Sequence, residues 1–240
     1  MPNHAEKYFR SSFWPTTVRR AYAAAFAIVL VSCAVSIYAY PRVPDRVASH
    51  WNARGEVDGY LPKAVGLFLI PSILFLLVLF LALIPMIDPL KANIEKFRSY
   101  YDGFIVLFCL FILTVHLQVV LWNLGVQLDP GMTLPIGIGA LFYYTGILLE
   151  KAKRNWFIGI RTPWTLSSEE VWNKTHQVGS RMFKAAGAIA VLGAFFGRLS
   201  VYFIMIPIFA AATYLAVYSY VEYHKEVKGS GVQDSSIAND

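Results

Sequence analysis

Residues 64–86 read AVGLFLIPSILFLLVLFLALIPM, 23 positions without one ionisable side chain. A bilayer hydrocarbon core about 30 Å thick is crossed by about 20 apolar residues in a helix. This stretch is long enough, and it is apolar on every face, which a helix half-facing water is not. Its two prolines, Pro71 and Pro85, are expected to kink it or end it early.

Five further runs approach the same length: Ala21–Tyr40, Gly103–Leu124, Thr133–Leu149, Ala185–Gly197 and Val201–Tyr220. The fifth in chain order is short. Its helix is expected to begin earlier, with Met182 and Phe183 inside and Lys184 reaching back to the headgroups. The first run reads as a crossing and not as a cleaved leader, because its polar lead is long and no small-residue cleavage site follows. The whole chain fits a lipid solvent, with 57% of its 240 residues hydrophobic and 15% charged, against about 25% charged in ordinary soluble domains. Cys33 and Cys109 each lie inside an apolar run and read as small buried hydrophobes.

Lys and Arg set the orientation of such a chain. One side takes the N-terminal lead with Lys7, Arg10, Arg19 and Arg20, the connection with Lys91, Lys96 and Arg98, and the tail with Lys225 and Lys228. It also takes the connection with Lys151, Lys153, Arg154, Arg161, Lys174, Arg181 and Lys184. The other side holds Arg42, Arg46, Arg54, Lys63 and Arg198. The expected fold is all-α: a six-transmembrane-helix bundle in the plasma membrane with both termini cytoplasmic. A small extracytoplasmic loop cap covers 41–63, and a cytoplasmic segment covers 150–184. Small residues at Gly139 and Gly146, Ala186 and Ala190, and Gly193 and Gly197 suit close helix packing in lipid. The positive charge of +6 belongs to the basic connections, so no direct nucleic-acid partner and no cofactor are expected.

The cytoplasmic segment reads NWFIGIRTPWTLSSEEVW over 155–172. Trp156, Trp164 and Trp172 suit the headgroup zone, where an apolar ring meets a wet N–H. Gly159 and Pro163 argue for a folded loop over 155–166. Ser167 with Glu170 three residues on forms a capping box, with Leu166 and Val171 as the hydrophobic staple. The helix that follows is amphipathic, with Val171, Thr175, Val178 and Met182 on one face, and is expected to lie on the inner membrane surface. Arg161 is expected to hold Glu169, Glu170 or a lipid phosphate, and to clamp the loop or serve a docking surface. His176 is a lone histidine with little claim to a metal. In the outer loop, His50, Asp45, Glu56 and Asp58 match no metal-ligand spacing. The favoured reading there is a cap whose polar groups bond one another. No catalytic motif occurs. The one ionisable side chain clearly at membrane depth is His116, which reads as a helix–helix hydrogen-bonding residue.

Two motifs carry a resemblance. Pro41, Val43, Pro44, His50, Trp51, Asn52, Gly55, Asp58, Tyr60 and Lys63 look like the N-terminal module of unknown role that often precedes SdpI domains. The stretch from Asn155 through Trp156, Gly159, Arg161, Thr162, Pro163, Trp164, Glu170 and Trp172 to His176 is similar to the SdpI family signature. The resemblance implies a bacterial integral membrane protein of the toxin-immunity class. Such a protein meets a secreted peptide toxin outside and holds a transcriptional repressor inside. The domains implied are a cytoplasmic lead (1–20), a two-span module (21–100), an SdpI-like four-span region (101–226) and a disordered tail (227–240). Candidate ligand contacts are His50, Trp51, Asn52 and Asp58 outside, and Asn155, Trp156, Gly159, Arg161, Thr162, Pro163, Trp164, Glu170 and Trp172 inside. The alternatives are a small-solute transporter or channel and, behind it, an intramembrane enzyme relying on His116.

Overall fold

The computed structural model describes residues 16–52 and 54–237. The expected lead at 1–20 therefore lies mostly outside the described residues. Long helices dominate: α1 (Thr16–Ala39), α2 (Lys63–Ile87), α4 (Arg98–Asn123), α5 (Pro130–Lys151), α7 (Glu169–Gly193) and α8 (Ser200–Ile237). Two short helices, α3 (Lys91–Glu95) and α6 (Pro163–Ser167), sit in connections. The fold is mostly helical but not all-α, because the 41–63 loop forms an antiparallel hairpin of β1 (Arg46–Trp51) and β2 (Val57–Pro62). α8 continues to Ile237, through most of the stretch expected as a polar tail.

Among the described residues, five helices are long and apolar enough to cross a membrane, and α7 is not one of them. Its first turns carry Glu169, Glu170 and Lys174, so only its second half is apolar. The expected surface helix and short span are one continuous rod of 25 residues. It packs along α5, and its buried stripe runs from Val171, Trp172, Thr175 and His176 through Gly179 and Ser180 to Ala186, Gly187, Ala190 and Gly193. Glycines set that contact. A Cβ on Gly139 would come 2.7 Å from the Gly187 carbonyl oxygen, and one on Gly146 2.7 Å from that of Ser180. Seven residues along α5 are matched by seven back along α7, as antiparallel rods require. Gly197 takes no part: it sits at φ +50 in the turn before α8. Lys184, expected to reach back to the headgroups, has its Nζ held at 2.6 Å by Glu150 at the end of α5.

Pro71 and Pro85 do not end α2, which runs unbroken from Lys63 to Ile87. A proline in a helix leaves the carbonyl four residues earlier without its amide partner, which in lipid costs several kcal/mol unless another donor arrives. Both carbonyls are covered. The hydroxyl of Ser36 on α1 donates to Leu67 O at 2.7 Å, four residues before Pro71. The hydroxyl of Tyr101 on α4 donates to Leu81 O at 2.8 Å, four before Pro85.

The main apolar core joins α1, α2 and α4 to the motif loop through Ala25, Leu74, Val78, Phe97, Tyr101, Ile105, Ile158 and Trp172. A smaller core holds the hairpin: Val47 packs with Ala39, Val43, Leu67 and Val120. Gly66 admits it, since a Cβ there would meet Val47 Cγ2 at 2.2 Å. Asn123 fixes the hairpin to α4, accepting from Ala48 N at 2.7 Å and donating to Ala48 O at 3.0 Å. The molecule thus has two halves, α1–α2–α4 with the hairpin and α5–α7–α8, and α4 against α5 forms the seam.

Candidate functional site

At one end of the seam the motif loop is tied into a knot by backbone hydrogen bonds. Asn155 is fully buried. Its side chain accepts from Phe157 N at 2.9 Å and Ile158 N at 2.6 Å, and donates to Lys153 O and Ile158 O, both at 2.8 Å. All four of its hydrogen-bonding positions are used within the loop. Trp172 is also fully buried, with Nε1 donating to Ala152 O at 3.0 Å. An indole expected among headgroups is therefore a core residue.

Gly159 lies at φ +118, a region L side chains rarely enter. That turn aims the Ile160 amide at His176 Nε2, which accepts it at 3.0 Å. His176 Nδ1 donates to Trp172 O at 2.8 Å, and its ring stacks on Trp172 at 3.9 Å. This fixes the neutral Nδ1–H tautomer. His176 lies outside the apolar spans, and burial pushes its pKa down to about 4. The lone histidine is thus the loop's anchor.

The cap falls one residue later than expected. Ser168 Oγ, not Ser167, accepts from Val171 N at the start of α7. The capping box belongs to α6, where Thr162 and Thr165 bond each other's backbone. Thr162 also donates to Ser219 at 3.0 Å, Trp164 meets Tyr220 edge-on at 5.1 Å, and Ser168 donates to Glu226 at 2.6 Å. The loop is therefore fastened to α8. Arg161 takes neither glutamate: its Nη1 donates to Trp156 O at 3.0 Å, while Glu170 pairs with Lys174 at 2.7 Å. Arg161 and Trp156 are exposed, Trp156 by 52%. Pro163 and Glu170 are exposed as well.

Sequence reasoning missed the other side of the clamp. Asp88, 2% exposed just past α2, accepts from Trp156 N at 2.9 Å and Leu90 N at 2.6 Å. Asn93 donates to Arg154 O at 2.9 Å. An aspartate just beyond an apolar run is the signal available in the sequence for such a cap.

At the hairpin end, the cap's polar groups bond one another. His50 Nδ1 meets Asp58 Oδ1 at 2.5 Å, Lys63 meets Asp45 at 2.9 Å, and Asn52 Oδ1 accepts from Arg54 N and Glu56 N. Of the four candidate metal groups, His50 and Asp58 pair with each other, while Asp45 is held by Lys63 and Glu56 by Arg54. His50, Trp51 and Asn52 border a cavity of about 770 Å³ on the seam, and Asp58 does not. A second, apolar cavity of about 250 Å³ lies on the same seam beneath Phe157, Ile158, Gly159 and Ile160.

His116 has its ring nitrogen engaged between helices. Ser36 gives its proton to Leu67 O, so His116 Nε2–H donates to Ser32 O at 3.2 Å and Ser36 Oγ at 3.1 Å. It ties α4 to α1, as a helix–helix hydrogen-bonding residue should.

Apolar helices of spanning length mark this chain as a membrane protein, in which a buried Trp–His pair anchors the motif loop. Residues 151–219 match the SdpI/YfhL protein family, and residues 27–75 match a domain of unknown function, DUF1648. The chain is similar to the Immunity protein SdpI of Bacillus subtilis (strain 168), with 25% identity over 203 residues, covering 85% of this chain and 95% of that protein. No solved structure matches.

Proposed function

We propose that this protein confers immunity at the membrane by binding a secreted peptide toxin rather than by destroying it. The observation that carries this reading is the likeness to an immunity protein over 85% of the chain. In this reading the chain crosses six times with both termini in the cytoplasm. The second half of α7, from Met182 onward, makes the fifth crossing against α5 and α8, while its first turns stay with the motif loop. The hairpin faces outward and presents His50, Trp51 and Asn52 to the toxin. The motif loop faces the cytosol, where the exposed Trp156–Arg161 edge receives a transcriptional repressor.

Expression in toxin-sensitive cells grown beside a toxin-secreting strain should raise survival while the peptide's mass and amount in the medium stay constant. Unchanged survival overturns the reading, and degradation of the peptide converts it to an enzymatic one. Arg161→Ala should release the repressor from the membrane fraction without loss of immunity. An impermeant thiol label that reaches position 161 from outside would reverse the orientation. The two cavities on one seam favour a second reading, small-solute transport, for which solute flux in proteoliposomes is the test.

A further inference from the structure

The cavity of about 770 Å³ lies among the hairpin-side ends of α2, α4, α5 and α8. Its walls descend along three helices to similar depths. Ile138 is eight residues into α5, Val115 eight residues from the end of α4, and Ile70 seven residues into α2. At 1.5 Å per residue the apolar part reaches about 12 Å below the rim. Half a hydrocarbon core is about 15 Å, so the cavity spans most of one leaflet.

The rim is polar: near Arg54 and Arg198 stand Asp129 and Glu56, the latter paired with Arg54 and within electrostatic reach of Arg198. Asp129 is turned onto the Gly131 amide at 2.8 Å, and Arg54 is held by Glu56 at 2.9 Å. Arg198 has no ion pair among the described residues. Trp51, on the same wall, has a buried indole N–H with no acceptor among the described residues.

We propose that this cavity seats a phospholipid with an anionic headgroup from the hairpin-side leaflet. The phosphate meets Arg198 and an acyl chain fills the apolar shaft between the two halves. A charged head at the rim with an apolar body below is the orientation the bilayer itself imposes on a lipid. A guanidinium is the side chain best matched to a phosphate.

The test is native mass spectrometry of the full chain released from micelles containing equal amounts of phosphatidylglycerol and phosphatidylcholine. The wild type should retain phosphatidylglycerol several-fold over phosphatidylcholine. Arg198→Gln, an exposed rim change whose folding is checked by its melting curve, should bring the two lipids level. Ile138→Trp should displace both by filling the shaft. Equal retention of the two lipids by the wild type overturns the proposal. So does a preference for phosphatidylglycerol that survives Arg198→Gln, because the anionic lipid then sits elsewhere, as at the basic motif end. No toxin is present, so failure here leaves the immunity reading standing, and failure of immunity leaves this one.

Discussion

The amide of Ile160 donates to Nε2 of His176 at 3.0 Å, and that same nitrogen would lie 2.4 Å from a Cβ placed on the preceding residue, Gly159. One side chain therefore reads the turn twice, by a bond it receives and by a methyl it excludes. Gly159→Ala should break both. A left-handed backbone angle costs a non-glycine residue about 1–3 kcal/mol, and the lost bond adds to it. A clear fall in the melting temperature of the purified protein is expected. A melting curve unchanged from wild type would show that the loop does not need this turn.

His176 also gives stability a pH dependence. Its pKa in the folded protein is about 4, below the ordinary 6.5. The unfolded chain therefore binds the proton more readily between those values. Stability is full above pH 6.5 and falls as pH drops towards 4, by up to about 3 kcal/mol from this group. Melting at pH 5 and pH 7.5 should differ more for the wild type than for His176→Gln. Equal differences would place the proton elsewhere.

Tyr101→Phe leaves Leu81 O bare beside Pro85 and should cost about 1–3 kcal/mol. Pro85→Ala returns the missing amide. In the double variant the cost of losing the hydroxyl should shrink, and the cycle measures the coupling directly. Additive effects would mean that the tyrosine does not serve that carbonyl.

Asn155→Asp removes the two N–H donors that meet Lys153 O and Ile158 O and places a charge at a site with no exposure. Uncompensated charge at such a site costs about 3–5 kcal/mol. Expression of folded protein should collapse, whereas Arg161→Ala on the exposed edge should leave the melting temperature nearly unchanged. A well-folded Asn155→Asp would mean that the knot tolerates a carboxylate.

Much of this was legible in the residues. The runs around residues 64–86 gave the apolar helices, and the Asn155–His176 signature marked the region the family match covers. What escaped depends on partners distant in sequence. By type Arg161 reads as a partner for Glu169, Glu170 or a lipid phosphate, but the loop's turn brings the Trp156 carbonyl to its Nη1. Ser167 and Ser168 are adjacent hydroxyls, and only the break between α6 and α7 decides which one caps. His176 looked idle because its acceptor nitrogen serves an amide 16 residues away, and backbone amides leave no mark in a sequence. Residue type points Trp172 to the headgroups, whereas the Ala152 carbonyl gives its N–H a partner in the core. Asp88 and Asn93 were overlooked for the same reason: both serve backbone atoms across the chain.

The two prolines of α2 bear on how the protein is made. A ribosome delivers α1 first, so when α2 enters the lipid the acceptor at Leu67 can be quenched at once by Ser36. The acceptor at Leu81 stays naked until α4 emerges with Tyr101. A chain truncated after α2 should therefore leave the Leu81 carbonyl without its donor, and the helix becomes fully satisfied only when α4 arrives with Tyr101.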